Sequence, residues 1–429
     1  MILYQGNIEE NTTLKSRLST LKDDCYNTLN NAPKLEAMTV INACHQLTEK
    51  IKNNAFDDII NPLLDAYDIP KSHFAHYLAM FTQEALKKKV NFELGLDVFE
   101  KSIDENHERS IEPLGILFHI AAGNLDVLPA YSVIEGLLAG NINILKLPTG
   151  DQGVSVKLLY ELIQIEPKLK DYIYVFDVPS TDQATLMQFE TIADAIVVWG
   201  GDDAVKAARR MAQPNTKIID WGHKLSFAYA SLDASDEDLK ALARNIFSTN
   251  QLLCSSAQGI YVDTTDITVL NQFAERFFKI MQSMQEDYQP IPLYMRSQHA
   301  LELHYETMVQ DNTKKSIYKD SGISVVVSGD QTLETSLLFR NVWVKMLPSK
   351  DIVKTLKPHK NHLQTASILA PNNQYLKYQE KLIKAGIVRI RKPDAMSHAL
   401  TNESHDGMLT LRLYTRIVET YNNNPNIKE

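Results

Sequence analysis

LGILFHIAAGNLDVLPAYSVIEGLLAGNINILKLP, residues 114–148, is the stretch that decides the fold class of this chain. Two apolar runs, LGILFHI (114–120) and NILKL (143–147), flank a segment whose apolar residues recur at helical spacing. Two apolar runs separated by a helical segment predict one βαβ unit. Parallel strands in such a unit are apolar because both faces of the sheet are covered.

Three further apolar runs continue the pattern: IYVFDV (173–178), AIVVW (195–199) and KIID (217–220), with helix-like segments between them. This alternation predicts an α/β fold with a doubly wound parallel sheet of the Rossmann type. Such sheets bind nucleotides at the carboxyl ends of their strands. The sequence nevertheless contains neither the G-x-G-x-x-G motif after the first strand nor a P-loop.

Length and composition narrow the class of protein. A chain of 429 residues predicts two or three domains. Its net charge of −9 argues against nucleic acid or an anionic membrane as the main partner. The most apolar region is interrupted by polar residues, so we expect no membrane span. Three cysteines without C-x-x-C spacing favour a reducing cytoplasm and predict no metal site.

Residues 248–263, STNQLLCSSAQGIYVD, place Cys254 between a polar helix end and an apolar strand. Small neighbours on both sides fit an exposed nucleophile that is held by rigid elements. The same pattern also fits a buried cysteine at the start of a strand. Cys25 and Cys44 lie in a helical region and are interpreted as core residues.

Three features follow the predicted strands in place of a nucleotide motif. Gly123-Asn124 follows the first strand, Lys146-Leu147-Pro148-Thr149 ends the second, and Gly200-Gly201 ends the fourth and opens a helix. Glycines at a helix N-terminus let backbone N–H groups approach a pyrophosphate closely. Each feature taken alone is a weak signal, and a glycine pair before a helix is more often a simple turn.

Together and in this order, the segments resemble the aldehyde dehydrogenase superfamily, and within it the acyl-CoA reductases of the LuxC type. The resemblance covers roughly residues 110 to 425. It rests on five segments: HIAAGNLDVLPAYSVIEGLLAGNINILKLP (119–148), VVWGGDDAV (197–205), DWGHKLSFAYA (220–230), NQLLCSSAQGIYVD (250–263) and SHDGMLTLRLYTRIV (404–418).

The resemblance implies roles for individual residues. Cys254 is the expected nucleophile toward an acyl thioester, and Asn124 the expected side-chain donor to the oxyanion. Thr149 stands where NAD-preferring members often carry a Glu, which favours NADPH and leaves NADH as the alternative. The cofactor-binding residues that the resemblance implies are Lys146, Pro148, Thr149, Gly200, Gly201 and Gly222.

Two departures from the oxidising members of the superfamily are informative. Asp220 stands where those members carry a Glu that activates water, and its shorter side chain is a poor base for hydrolysis. No counterpart of their E-x-F-G-P segment is found. Asp220 is therefore either an auxiliary catalytic residue or a structural carboxylate, and His223 either tunes the Cys254 thiol or packs in a loop.

The sequence therefore predicts an NAD(P)H-dependent reductase that converts an acyl-CoA or acyl-protein thioester to an aldehyde through a thioacyl-cysteine. One alternative is an aldehyde dehydrogenase, either CoA-acylating or hydrolytic. Another is a non-catalytic scaffold that binds an acyl-protein. A separate acyl-protein synthetase is a partner by analogy alone.

The expected domains follow the changes in pattern. Residues 1–93 form a helical part of the cofactor domain, 114–245 the NAD(P)-binding domain, and 246–410 the catalytic domain. Residues 94–113, with 411–422, are expected to form an oligomerisation ribbon that hides its edges in a homodimer or homotetramer.

Overall fold

The computed structural model describes residues 1–66, 78–95, 102–104, 107–121, 128–149, 153–309, 315–398 and 403–421. The chain divides into two compact units, one of residues 1–222 with 399–429 and the other of residues 223–398.

The described strands are β1 (Ile2–Tyr4), β2 (Asn7–Glu9), β3 (Ser102–Asp104), β4 (His107–Pro113), β5 (Ile116–Ile120), β6 (Ile142–Lys146), β7 (Ile173–Phe176), β8 (Ala195–Trp199), β9 (Lys217–Trp221), β10 (Leu225–Ala230), β11 (Ala257–Val262), β12 (Lys315–Asp320), β13 (Ile323–Ser328), β14 (Asn341–Met346), β15 (Leu363–Leu369), β16 (Arg389–Arg391) and β17 (Thr415–Tyr421).

The described α-helices are α1 (Leu14–Asn31), α2 (Ala37–Lys52), α3 (Asp57–Ala66), α4 (Gln83–Leu94), α5 (Leu128–Leu138), α6 (Val154–Ile165), α7 (Gln183–Ile192), α8 (Asp202–Met211), α9 (Asp236–Thr249), α10 (Ile267–Met284), α11 (Leu293–Val309), α12 (Ile352–Leu356), α13 (Asn372–Ala385) and α14 (Thr410–Leu413).

The first unit contains the predicted Rossmann-type sheet. Its strand order is β2-β1-β7-β6-β5-β8-β9, and β5 to β9 are parallel. Taken alone, those five strands follow the doubly wound order 3-2-1-4-5, with the switch point between β5 and β8. The five strands match the five predicted apolar runs to within two residues. The sequence did not reveal β1 and β2, a hairpin that joins the sheet antiparallel to β7.

Residues of the first 93 positions also build this unit. Helices α1, α2 and α4 pack onto the apolar core of the sheet. Cys25 and Cys44 are buried in that core, as predicted, and burial raises the pKa of each thiol to about 12.

A buried polar network crosses the interior of this sheet. His119 Nε2 lies 3.0 Å from Asn143 Oδ1, and His119 Nδ1 lies 2.7 Å from Ser132 Oγ. Trp199 Nε1 donates to the same Ser132 Oγ at 2.9 Å. Because Asn143 Oδ1 can only accept, His119 carries its proton on Nε2 and accepts from Ser132. Burial favours this neutral imidazole and lowers the pKa of His119 to about 4.

The second unit is built on a sheet of order β12-β13-β14-β11-β10-β15-β16, in which every described pair except β12 with β13 is parallel. The unit begins at residue 223, not at the expected residue 246. The reason is that β10 pairs with β11 and β15. β10 and the following helix α9 therefore belong to the second unit. The sequence assigned them to the cofactor domain because they continue its β–α alternation.

A separate antiparallel sheet joins two distant parts of the chain. β17 pairs with β4 over the full length of both strands, and β4 pairs with β3. Residues 107–113 and 415–421 thus form the predicted ribbon within one chain. Ile417 and Tyr421 stay exposed on it, and pairing with a second subunit stays a prediction. Within the described ranges, no helix is both long enough and apolar enough to cross a membrane.

We expect the free energy of unfolding of the first unit to decrease as the pH is lowered from about 6.5 to about 4. The unfolded chain protonates His119 near its ordinary pKa of 6.5, whereas the folded chain does so only near 4, so the unfolded state binds more protons in that window. The loss reaches roughly 3 kcal/mol at most. Urea unfolding at pH 7 and pH 4.5 measures it. His119→Gln should show a smaller pH dependence, and an unchanged dependence would contradict the assignment.

Candidate active site

Cys254 lies exposed in a tight turn between α9 and β11. α9 ends at Thr249, its C-cap residue Asn250 has a φ of +46°, and Gln251 follows with a φ of +62°. Two successive left-handed residues that are not glycine are unusual and are kept only where surrounding contacts fix them. The turn then closes through a hydrogen bond from Ser256 N to Leu253 O at 2.9 Å.

Hydrogen bonds from buried side-chain amides hold the turn that carries Cys254. Gln251 Nε2 donates to Ala257 O at 3.0 Å, and Gln258 Nε2 donates back to Gln251 O at 3.1 Å. Asn245 Nδ2 donates to Ser397 Oγ at 3.0 Å, while its Oδ1 accepts from Ala257 N at 3.4 Å. The cysteine turn is therefore fixed at the point where it becomes strand β11.

A second loop with strained backbone forms hydrogen bonds to the same turn. Leu338, Phe339 and Arg340 all have positive φ. Phe339 N donates to Asn250 O at 2.9 Å, and Arg340 Nε donates to Asn250 Oδ1 at 3.2 Å. Strained backbone of this kind concentrates at functional sites, because surrounding contacts must over-determine it.

The sulfur itself has a hydrogen-bond donor. Gln364 Nε2, on the largely buried β15, lies 3.3 Å from Cys254 Sγ. Ser226 Oγ, on β10, donates to Cys254 O at 2.7 Å and accepts from Thr365 N at 3.1 Å. An amide N–H aimed at a sulfur favours the thiolate, which is the nucleophilic form. The sequence analysis missed Gln364, which lies 110 residues from Cys254 along the chain. Its one signal is a polar Gln-Thr pair near the start of a mostly apolar strand.

The two residues with predicted auxiliary roles in catalysis, His223 and Asp220, lie in different units. His223 opens the second unit; its Nε2 lies 3.5 Å from Thr335 Oγ1, and its carbonyl accepts from His362 Nδ1 at 3.0 Å. Asp220 belongs to the first unit, where Arg209 donates to its carboxylate at 2.8 Å. That ion pair favours the structural interpretation of Asp220. A role for His223 at the thiol stays a prediction.

Lys146 ends β6 at the carboxyl edge of the Rossmann-type sheet. Its Nζ donates to Ser180 Oγ at 2.9 Å, and only 3% of the residue is exposed. Burial lowers the pKa of Lys146, while the nearby Asp177 carboxylate acts in the opposite direction. Pro148 is buried and Thr149 is exposed just beyond. A buried ammonium with a hydroxyl partner at this edge fits the ribose hydroxyls of a dinucleotide.

Gly200 and Gly201 follow β8, beside the switch point of the sheet, and Gly222 follows the edge strand β9. A Cβ atom at Gly200 would lie 2.9 Å from Ala204 Cβ, so only glycine lets α8 begin so close to β8. At Gly201 and Gly222 a Cβ atom would meet nothing within 4 Å, which leaves open space beside the backbone. Together with Lys146, these residues fit a nicotinamide dinucleotide. Asn124, the predicted oxyanion donor, lies outside the described residues.

Solved structures define the fold of the chain. Methylmalonate-semialdehyde dehydrogenase from Oceanimonas doudoroffii superimposes with a TM-score of 0.71 at 15% identity, covering 100% of this chain and 99% of that one. An NAD-dependent benzaldehyde dehydrogenase from Corynebacterium glutamicum gives a TM-score of 0.66 at 13% identity, covering 95% and 90%. The chain has the aldehyde dehydrogenase fold, as the sequence predicted.

Residues 31–417 match the acyl-CoA reductase (LuxC) family, and the chain belongs to that family. The long-chain acyl-protein thioester reductase of Aliivibrio fischeri is 25% identical over 361 residues, which span 80% of this chain and 72% of the relative. Long-chain acyl-protein thioester reductase 2 of Photobacterium leiognathi is 26% identical over 313 residues, spanning 70% and 63%. The predicted class, an oxidoreductase that reduces acyl thioesters, is confirmed.

We expect Gln364→Leu to slow alkylation of Cys254 by iodoacetamide at pH 7 by about tenfold, because a hydrogen bond to the charged thiolate is lost. The rates of the variant and the parent should converge at high pH, where the thiol is ionised in both. Gln379→Leu, on α13, is the matched control and should react like the parent. Equal rates for Gln364→Leu and the parent at every pH would show that the amide does not act on the sulfur.

Proposed function

We propose that this protein reduces a long-chain acyl thioester to the corresponding aldehyde with a reduced nicotinamide cofactor, through a thioacyl intermediate on Cys254. The observation that carries the proposal is the exposed Cys254 thiol, held in a strained turn with the Gln364 amide at its sulfur. Membership of the acyl-CoA reductase (LuxC) family supports the reaction class.

The first step is acyl transfer. The Cys254 thiolate attacks the thioester carbonyl carbon, a bond from Sγ to that carbon forms, and the bond to the departing sulfur breaks. The departing thiolate takes up a proton. Asn124 and the backbone N–H of Cys254 are the proposed donors to the oxyanion, and losing one such donor typically costs about 10²–10³ in rate.

The second step is reduction. A bound reduced nicotinamide supplies the hydride that brings the acyl group to the aldehyde level. The residues proposed to hold that cofactor are Lys146, Pro148, Thr149, Gly200, Gly201 and Gly222. Release of the aldehyde returns the thiolate of Cys254 to its contact with Gln364, ready for the next acyl group.

Hydrolysis of the acyl-enzyme should be slow, which separates this function from that of a hydrolytic aldehyde dehydrogenase. A general base for water needs a carboxylate placed within hydrogen-bond reach of it. The carboxylate of Asp220 is instead engaged by Arg209 at 2.8 Å. This pairing supports transfer of the acyl group between thiols over its loss to water.

The acyl donor and the setting are parts of the same proposal. The named relatives are long-chain acyl-protein thioester reductases, which supports a long acyl chain here. Either CoA or a protein thiol could deliver it, with a synthetase partner in the second case. A homodimer or homotetramer joined through the β3-β4-β17 ribbon, in the reducing cytoplasm, completes the proposal.

We expect Cys254→Ala to abolish oxidation of NADPH by myristoyl-CoA, because no thioester to the enzyme can form. Cys44→Ala removes a buried thiol from the first unit and should keep most of the activity. The measurement is the fall in absorbance of the reduced cofactor, with the aldehyde identified by mass spectrometry. Full turnover by Cys254→Ala would refute the proposal, and free fatty acid as the main product would favour the hydrolytic alternative.

We expect NADPH to be preferred over NADH, because Thr149 is uncharged where a carboxylate would repel the 2′-phosphate. Thr149→Glu should reverse the preference, and Lys146→Met should raise the KM for either cofactor by about tenfold through loss of a charged hydrogen-bond donor. Steady-state kinetics with both cofactors test this. A parent enzyme that prefers NADH would contradict the role of Thr149 and point to Asp177 beside Lys146.

A further inference from the structure

The segment SHDGMLTLRLYTRIV, residues 404–418, is one of the five that carry the family resemblance, yet none of its residues has a role in the proposed function. The chain returns to the first unit at residue 399, so this segment belongs to the unit with the proposed cofactor residues. Tyr414 is buried in the apolar cluster that contains Trp199 and Trp221. The segment therefore packs on the face of the sheet that carries those tryptophans.

A tryptophan precedes each of the proposed glycine loops. Trp199 is the last residue of β8 and Gly200-Gly201 follow it, while Trp221 is the last residue of β9 and Gly222 follows it. The two strands pair in register at these tryptophans, and Gly200 N donates to Trp221 O at 3.1 Å. Glycine has no side chain by which its backbone can be held, so its position depends on the residues beside it. The two indoles therefore anchor the backbone that is proposed to hold the cofactor.

The imidazole of His405 contacts both indoles. Its ring centroid lies 4.7 Å from that of Trp221 at an interplanar angle of 88°, and 5.2 Å from that of Trp199 at 67°. Edge-to-face contacts at these distances are a favourable geometry for aromatic rings. Both indoles are buried, whereas 35% of the His405 side chain is exposed. His405 therefore covers the tryptophan pair on its solvent side.

A tight turn fixes the position of His405. His405 N donates to Met408 O, and Met408 N donates to His405 O, each at 2.8 Å. Between them, Asp406 and Gly407 have φ values of +49° and +81°. Positive φ at both central residues is characteristic of a type I′ turn, for which Asp-Gly is a preferred sequence. The His-Asp-Gly sequence therefore forms a rigid support for one imidazole, with Asp406 Oδ2 lying 3.8 Å from His405 Nε2.

We propose that His405 is a positioning residue for the cofactor. Its ring holds Trp199 and Trp221, and these hold the glycine backbone in the shape that accepts a nicotinamide dinucleotide. A binding site is precise only when packing also fixes the residues that support it. Trp199 Nε1 donates to Ser132 Oγ at 2.9 Å on the inner side, and His405 supplies the contact on the outer side. This inference rests on the proposed function and adds to it a residue that acts on the cofactor through the tryptophans.

The test measures the affinity for the cofactor in the absence of any acyl donor. We expect His405→Ala to raise the Kd for NADPH, measured by isothermal titration calorimetry, by roughly tenfold, because two aromatic contacts are lost. His405→Phe keeps an aromatic ring at this position and should bind NADPH nearly as tightly as the parent. Both variants should be acylated at Cys254 by myristoyl-CoA at the rate of the parent, measured by intact mass, because Cys254 belongs to the other unit.

His304→Ala is the matched control, because His304 is exposed on α11 in the second unit, and it should keep the Kd of the parent. An unchanged Kd for NADPH in His405→Ala would overturn the proposal. Equal losses in His405→Ala and His405→Phe would also overturn it, because they would assign the effect to a ring nitrogen. Slower acylation of Cys254 in step with weaker NADPH binding would show a general loss of structure and count against it as well. A parent that binds neither NADPH nor NADH would overturn the proposed function, and this inference with it.

Discussion

The left-handed pair Asn250-Gln251 is the constraint on which the site depends. It ends α9 one turn before the cysteine and directs the chain into β11, so that the thiol is exposed while its backbone is fixed. The pair persists because Phe339 and Arg340 bind Asn250 and because Gln251 exchanges hydrogen bonds with β11. An exposed nucleophile on rigid backbone loses little entropy when it reacts.

Hydrogen bonding favours the reactive form of this sulfur. The Gln364 amide lies 3.3 Å from Cys254 Sγ and favours a thiolate there, which is the nucleophilic form. The residues proposed to hold the cofactor belong to the other unit, at the carboxyl edge of a separate sheet. The residues proposed for acyl transfer and those proposed for cofactor binding therefore belong to different sheets.

The sequence predicted the parts of the fold that depend on local periodicity. The five parallel strands of the first unit and the turn that carries Cys254 follow from apolar runs and their spacing. What it missed depends on pairing between distant segments. The hairpin β1-β2 pairs with β7, which lies about 170 residues away along the chain. The domain boundary follows from the pairing of β10 with β11 and β15. Gln364 contacts Cys254 only because of the strand order of the second sheet.

The most direct measurement is the intact mass of the protein after incubation with a long-chain acyl thioester and no cofactor, followed by mapping of the modified peptide. The account predicts one acyl group per chain on the peptide that contains Cys254, removed when reduced nicotinamide is added, with the aldehyde as product. An unmodified protein, or an acyl group on Cys25 or Cys44, would contradict it.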